Sequence, residues 1–399
     1  MFGKLKKGIE LTGDFFRKEI NAIRKDSGAL LILFGALIIY PLVYSIAYQN
    51  EKVRDLKTVI VDQDKSSTSR RLYQYIDRTE EINVIGEVNS IEEAHKLFDE
   101  GQIFGILLIP ESFESDLFAG RQSDVSVYAD GSYFLLYRQM ISGSTKAIGT
   151  FAAGIEVKKM MMSGIPYEQA LKARSPVAAD LHFLYNTASG YGSFIMPGLV
   201  IIILQQTLLI GIGMLGGTGK EKGRYSYLIP QKLKKREVIP ILLGKSMAYL
   251  LLYLFNCIIV LIWFYRWFNY PDHGSYLHLF MLVIPFLLST IFLGITLSVL
   301  FRSRESSIMF MVFLSPIVMF LSGISWPASA IPPVLYKLSH VFPTTIMIPA
   351  YLRMRIMGVE FSSVRHEYLM LLLQMFIYFL TASLAIYWSS KHRLRAEDK

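Results

Sequence analysis

The sequence predicts a polytopic α-helical membrane protein with six transmembrane helices and an α/β extracytoplasmic domain between spans 1 and 2. Three observations carry this. Of the 399 residues 52% are hydrophobic and only 18% charged, and the charges are segregated rather than dispersed. Six runs provide the roughly 20 mostly apolar residues that a spanning helix needs: 28–48, 193–215, 244–265, 277–301, 307–325 and 368–390. The first run stands apart, a long polar stretch follows it, and the other five crowd the second half.

Residues 1–26 come first. Leu5, Ile9, Leu11, Phe16, Ile20 and Ile23 recur at helical spacing with Lys and Arg between them. That pattern describes an amphipathic helix lying in a membrane surface. Span 1 covers 27–48. It starts too late, has too long an apolar core and lacks a small-residue cleavage pattern for a signal peptide, so it is read as a retained span.

The domain at 49–190 alternates strand and helix signals. Strands are expected at 58–61, 82–88, 104–109 and 125–129, and helices at 67–77, 90–100 and 133–162. Ser90 and Glu93 have the spacing of a capping box. Such alternation favours a mixed sheet with helices packed on it. Cys257, the one cysteine, lies inside a span, so a core rather than a disulfide must hold this domain.

Spans 2–6 occupy 191–390. A charged loop at 217–238 joins spans 2 and 3, and residues 391–399 form a basic tail. After span 5, Pro327, Pro332, Pro333, Pro343 and Pro349 divide the chain into apolar pieces too short to cross a bilayer. The segment 326–366 is therefore read as short re-entrant helices dipping into the outer leaflet. Irregular backbone survives there only when protein or a wet cavity surrounds it.

Lys and Arg counts set the orientation. Lys4, Lys6, Lys7, Arg17, Lys18, Arg24 and Lys25 precede span 1, and Lys220, Lys222, Arg224, Lys232, Lys234, Lys235 and Arg236 follow span 2. Arg302, Arg304 and the basic tail fall on the same side when there are six spans, which makes that side, with both termini, cytoplasmic. The insert carries 15 Lys and Arg against 20 Asp and Glu, as expected of an outer domain. The overall +9 thus reports topology rather than nucleic-acid binding.

Catalytic motifs are missing from the pattern. The seven histidines show no metal spacing such as HExxH, and there is no nucleophile elbow. Gly211–Gly216 matches a dinucleotide fingerprint by letter but ends a spanning run. Close helix packing, which Gly213 and Gly217 also suit, is the better reading. Gly219-Lys220 resembles a P-loop end, yet Glu221 replaces Ser or Thr and Met214 the first glycine. Apart from Lys245, read as snorkelling to the cytoplasmic interface, the spans carry almost no charge. Ion coupling usually needs such charge, so the driving force is expected from a partner.

At this point the chain resembles type-2 ABC exporter permeases with a large outer domain after the first span. Three stretches carry the likeness. The first lies in the insert: Val59-Ile60-Val61-Asp62-Gln63-Asp64, Ile91-Glu92-Glu93-Ala94, Gly105 to Phe113, and Tyr128-Ala129-Asp130. The second is the loop, with Glu221-Lys222-Gly223, Pro230, Glu237 and Gly244-Lys245. It departs from the family where Arg224 stands in place of Thr. The third is the tract from Leu321-Ser322-Gly323 through Pro327, Pro333, Phe342-Pro343-Thr344, Arg353 and Gly358.

The resemblance implies a permease subunit of an ATP-driven exporter rather than an enzyme. It moves drugs, lipids or other amphiphilic cargo across the cytoplasmic (inner) membrane. The N-terminal amphipathic helix becomes the family's connecting helix. Lys220, Glu221, Lys222, Gly223, Arg224 and Glu237 become the segment that couples to cytoplasmic ABC ATPase subunits. Gly323, Pro327, Pro333, Pro343 and Arg353 become the re-entrant exit region. ATP belongs to the partner, and this chain holds no cofactor. A second permease copy, identical or related, a periplasmic adaptor and membrane lipids complete the partners. The alternative is a membrane-anchored receptor or interaction protein that uses the outer domain.

Overall fold

The computed structural model describes residues 2–175, 182, 184–187, 189–221, 233 and 235–397, with side chains from residue 6 to 390. The chain divides into two units, one of residues 1–51 with 183–399 and the other of residues 52–182. Among the described residues six helices are long and apolar enough to cross a membrane. The amphipathic pattern at the start forms α1 (Phe2–Lys25), and the first apolar run forms α2 (Ser27–Ala47).

Residues 52–182 form the expected α/β unit. Its order is β1 (Leu56–Asp62), α3 (Ser67–Asp77), β2 (Ile82–Val88), α4 (Ile91–Asp99), β3 (Gly105–Ile109), α5 (Phe113–Phe118), β4 (Ser126–Ala129), α6 (Phe134–Met162) and α7 (Tyr167–Arg174). The sheet runs β2-β1-β3-β4, with β1 parallel to both neighbours and β4 antiparallel to β3. Apolar residues cover both faces, which explains the unbroken Val59-Ile60-Val61. Leu56, Ile60 and Leu107 pack on Leu72, Ile76, Met140 and Phe151 of α3 and α6. Val59, Val61 and Ile106 pack on Ala94 of α4.

Polar residues fix the corners of this unit. Ser66 accepts a hydrogen bond from Ser69 N at 3.0 Å and caps α3. Ser90 accepts from Glu93 N at 3.2 Å, and Glu93 reaches back to Asn89 N at 3.2 Å, one residue beyond the usual capping-box target. Glu114 accepts from the Thr68 and Ser67 hydroxyls, which hold its carboxyl below the usual range.

After the insert come α8 (Tyr191–Glu221), α9 (Lys235–Trp267), α10 (Tyr276–Ser298), α11 (Arg304–Leu321), α12 (Pro333–Ser339), α13 (Pro343–Arg355) and α14 (Arg365–Glu397). α8 is the central column, touching α2, α10, α11 and α13. Single π-turns interrupt α2 at Leu31–Ala36 and α9 at Ile259–Trp263. In each, a side chain takes a backbone carbonyl. Asn256 donates to Leu33 O at 2.9 Å, and Arg355 to Leu261 O at 2.5 Å.

Several expected boundaries move. α8 stays helical to Glu221, so residues 217–221 belong to a helix rather than to a loop. The last helix continues to Glu397, so 391–397 is no separate tail. α11 ends at Leu321, short of 325, because Gly323 takes a positive φ of 87°. The pieces on either side of Pro349 form one helix, α13. In it Pro343 to Ile348, Ala350, Tyr351, Met354 and Arg355 are all buried. Its N-terminal turn docks on the central column, where Thr344 N donates to Gln205 Oε1 at 3.0 Å.

The two chain ends flanking the insert are held together by Glu51. Its carboxylate accepts from Ser193 N at 3.0 Å and Ser193 Oγ at 2.7 Å, while its carbonyl accepts from Tyr191 N at 2.7 Å. Glu51 thereby caps α8 although it lies on the other side of the insert in sequence. Glu51→Ala is expected to cost about 1 kcal/mol, the usual scale of a lost helix cap. Hydrogen–deuterium exchange would show the loss as faster exchange in the first turn of α8, with α6 unchanged.

Candidate coupling site

α1 lies along α9, and the contact is unusually close at one point. A Cβ at Gly244 would sit 2.4 Å from Thr12 O and 3.1 Å from Phe16 N, so only glycine lets the two backbones approach. The face of α1 turned to the bundle is the stripe Phe15, Glu19, Ile23, spaced at four residues. This corrects the sequence stripe. Ile9 is exposed, and an acidic residue, 3% exposed, sits between two buried apolar ones.

Glu19 is satisfied from α9. Lys245 Nζ donates to Glu19 Oε2 at 2.6 Å, and Tyr249 Oη donates to Oε1 at 2.5 Å. Lys245 is 8% exposed and is not snorkelling. The pair Gly244-Lys245, noted in the sequence only as a motif, is thus the seat of α1: the glycine admits the helix and the lysine fixes its rotation. Near the start of α9, Lys7 lies 3.8 Å from Glu237 in a more exposed ion pair.

A second junction gathers the ends of α2, α8, α10 and α11. Asp26 caps α2 by accepting from Ala29 N at 3.0 Å and pairs with Arg304 Nη1 at 2.9 Å. Partial burial alone would raise the Asp26 carboxyl, but the Ala29 amide and the Arg304 guanidinium hold it below its ordinary value. Glu221 accepts from Arg304 N at 2.8 Å. Lys220 Nζ donates to the carbonyls of Ser298 (3.4 Å), Val299 (2.5 Å) and Phe301 (2.6 Å). Four hydrogen bonds therefore join the last residues of α8 to the 298–304 turn.

Small residues allow that approach. A Cβ at Gly213 would meet Ser307 Oγ at 2.0 Å, at Gly216 Ser298 Cβ at 2.8 Å, and at Gly217 the Ser303 carbonyl at 2.5 Å. The glycines that mimicked a dinucleotide fingerprint are contact points between helices.

The residues expected to couple to an ATPase therefore separate. Lys220 and Glu221 are engaged within the bundle, and Glu237 lies on the short turn that opens α9. Lys222, Gly223 and Arg224 lie outside the described residues. In the Pro-rich tract, Gly323 ends α11, Pro327 precedes the short turn Ala328–Ala330, and Pro333 and Pro343 occupy first turns of α12 and α13. Those first turns suit proline, whose missing N–H is not needed there. Arg353 bonds Glu367 of α14 and Ser363 O.

Sequence reasoning missed Glu19 and Arg355. Arg355 is 1% exposed; it donates to Asp272 at 2.8 Å and stacks 4.2 Å over the Tyr265 ring. Its neighbours in sequence, Arg353 and Met354, gave no sign of that burial. The signal for Glu19 was its four-residue offset from Phe15 and Ile23.

Removing one member of a buried ion pair costs about 3–5 kcal/mol, because the other charge is left desolvated. Lys245→Met is therefore expected to destabilise the purified protein by that order, and Glu19→Leu combined with Lys245→Met to recover most of it. Denaturant unfolding in mixed micelles, arranged as a double-mutant cycle, reads the coupling.

The family pattern described as "ABC-2 family transporter protein" matches residues 28–384. The chain is 22% identical over 340 residues to "Probable multidrug ABC transporter permease YbhS" of Escherichia coli (strain K12), covering 83% of this chain and 84% of that protein. The protein of the same name from Escherichia coli O157:H7 matches to the same extent. No solved structure matches the chain. With that pattern running from the start of α2 into α14, over six apolar helices, the chain belongs to the ABC-2 family of transporter proteins and is a type-2 ABC transporter permease.

Proposed function

We propose that this permease exports an amphiphilic or hydrophobic substrate across the cytoplasmic membrane, driven by ATP hydrolysed in a partner subunit. Permeases of this family associate with ABC ATPase partners. The observation that carries the reading is the seating of α1. An amphipathic helix with a basic outer face is fixed to a spanning helix by a glycine contact and a buried ion pair. A push on α1 therefore reaches α9 without passing through a flexible joint.

In this reading the exposed face of α1, the segment Lys222-Gly223-Arg224 and Glu237 form the docking surface for the ATPase. Lys220 and Glu221 anchor that segment to the bundle. The basic loops face the cytoplasm with both termini, and the acidic α/β unit lies outside, where it meets a periplasmic adaptor. Two permease copies face each other across the path, and Gly323, Pro327, Pro333, Pro343 and Arg353 shape its outer end. α11 suits the path best: of its residues only Ser307, Met311 and Val318 are buried, which leaves an apolar face for a second copy or for cargo. The apolar lining and the "multidrug" in the relative's name both favour amphiphilic cargo.

Replacing Lys222 and Arg224 by Glu is expected to abolish co-purification of the ATPase while the permease still inserts and folds. Inside-out vesicles carrying the wild-type complex are expected to accumulate a lipophilic dye on addition of ATP, and those carrying the double variant are not. Full co-purification with the double variant would remove this segment from the docking surface. Dye extrusion from the same vesicles would reverse the direction of transport.

A further inference from the structure

The turn between α10 and α11 is tied to the end of α8 by four hydrogen bonds. α10 needs no outside help, since most of its length is buried against α8 and α14. α11 differs. Its three buried residues, Ser307, Met311 and Val318, make one narrow stripe, and Ser307 meets α8 at Gly213. Within this chain, α11 rests mainly on α8, with Ser307 at Gly213 and Met311 beside Leu209, touches α12 and α13 less, and is held at its start by the bonds of its first residues.

Those bonds come from two consecutive residues. Lys220 closes the end of α10 through the carbonyls of Ser298, Val299 and Phe301, and Glu221 holds the first amide of α11, Arg304 N. The Arg304 side chain continues the link to Asp26 at the start of α2. Gly217 lies directly against the Ser303 backbone, an approach that brings the turn within reach of Lys220 and Glu221. A cation on three carbonyls at a helix C-terminus is also electrostatically favoured.

We infer that Lys220, with Glu221, is a positioning residue of the transport cycle: a strut by which displacement of the α8 end carries the 298–304 turn, and α11 with it. The inference rests on the ATPase-driven reading above and adds a route to it. Motion that the ATPase imparts to the end of α8 would reach α11 through Lys220 and Glu221, in parallel with the route through α1 and α9. Packed helices shifting as bodies need such a rigid connection at their ends.

The test uses the full-length permease co-purified with its ATPase, compared with and without ATP plus vanadate by hydrogen–deuterium exchange. The wild-type complex is expected to show a nucleotide-dependent change at both 214–221 and 304–311. Lys220→Met is expected to keep the change at 214–221 and lose it at 304–311, read on the fraction that co-purifies with the ATPase. Lys220→Arg, which retains a cation for the three carbonyls, is expected to restore the change. A merely structural cap would alter basal exchange without separating the two peptides.

Should Lys220→Met not fold, Glu221→Ala carries the same comparison, because it frees Arg304 N while leaving the Lys220 cap in place. Retention of the full change at 304–311 in the variant overturns the inference, and so does its loss together with that at 214–221. Either result leaves ATPase coupling standing. A wild-type complex with no nucleotide-dependent change at any peptide would instead remove the ATPase-driven reading itself.

Discussion

A carboxylate in the apolar stripe of α1 decides where that helix can lie. An ionised Glu19 turned toward lipid or an apolar helix face would be several kcal/mol unfavourable. Lys245 and Tyr249 satisfy both of its oxygens in one rotational setting and one register of α1 against α9. Gly244 then permits an approach that any side chain would block. A buried ion pair is weak evidence for stability as such, since well-packed apolar residues often replace it without loss. Its better-attested effect is to specify register, as one polar residue does in a coiled coil. For an amphipathic helix that would otherwise slide or roll along a membrane surface, register is what matters.

The same logic recurs at two half-buried charges and one buried one. Arg304 joins the start of α11 to Asp26 and Glu221, Lys220 closes the end of α10, and Arg355 ties α13 to Asp272 beside the Tyr265 ring. Each charge sits at a helix end or a π-turn carbonyl, where the backbone supplies partners that a regular helix interior lacks. The apolar helices thus pack through glycine, serine and branched residues along their lengths and are pinned by charge at their ends. Rigid columns with fixed ends suit a machine that moves helices as bodies.

Much of this architecture was readable in the sequence because hydrophobic run length and strand alternation are local signals. The six runs, the four strands and the three longer helices of the α/β unit follow from apolar spacing, whereas the short α5 and α7 were not foreseen. The helix ends were less legible. Residues 218–221 look like part of a charged loop until the 298–304 turn is seen opposite them, and Pro349 looks like a break until α13 is seen as one buried helix. Glu19 and Arg355 were missed because a charged residue reads as solvent-exposed unless its partner is known, even where, as for Glu19, its offset from Phe15 and Ile23 sets it in the stripe. Those partners, Lys245 and Asp272, lie far along the chain. Lys220 was read by its position in a charged loop, whereas its ammonium turns inward to carbonyls that no motif announces. The coupling role proposed for Lys222, Gly223 and Arg224 stands on the family resemblance.

The claim that α1 and α9 move as one body is tested most directly by a distance. Spin labels at Gly13, where a side chain meets open space, and at Met247, on the exposed side of α9, report the separation of the two helices. The native Cys257 is buried and does not compete for label. In the permease–ATPase complex, the account predicts one distance distribution that is unchanged between the nucleotide-free and vanadate-trapped states. A nucleotide-dependent shift or a second population would show that α1 slides on α9, and would contradict the account.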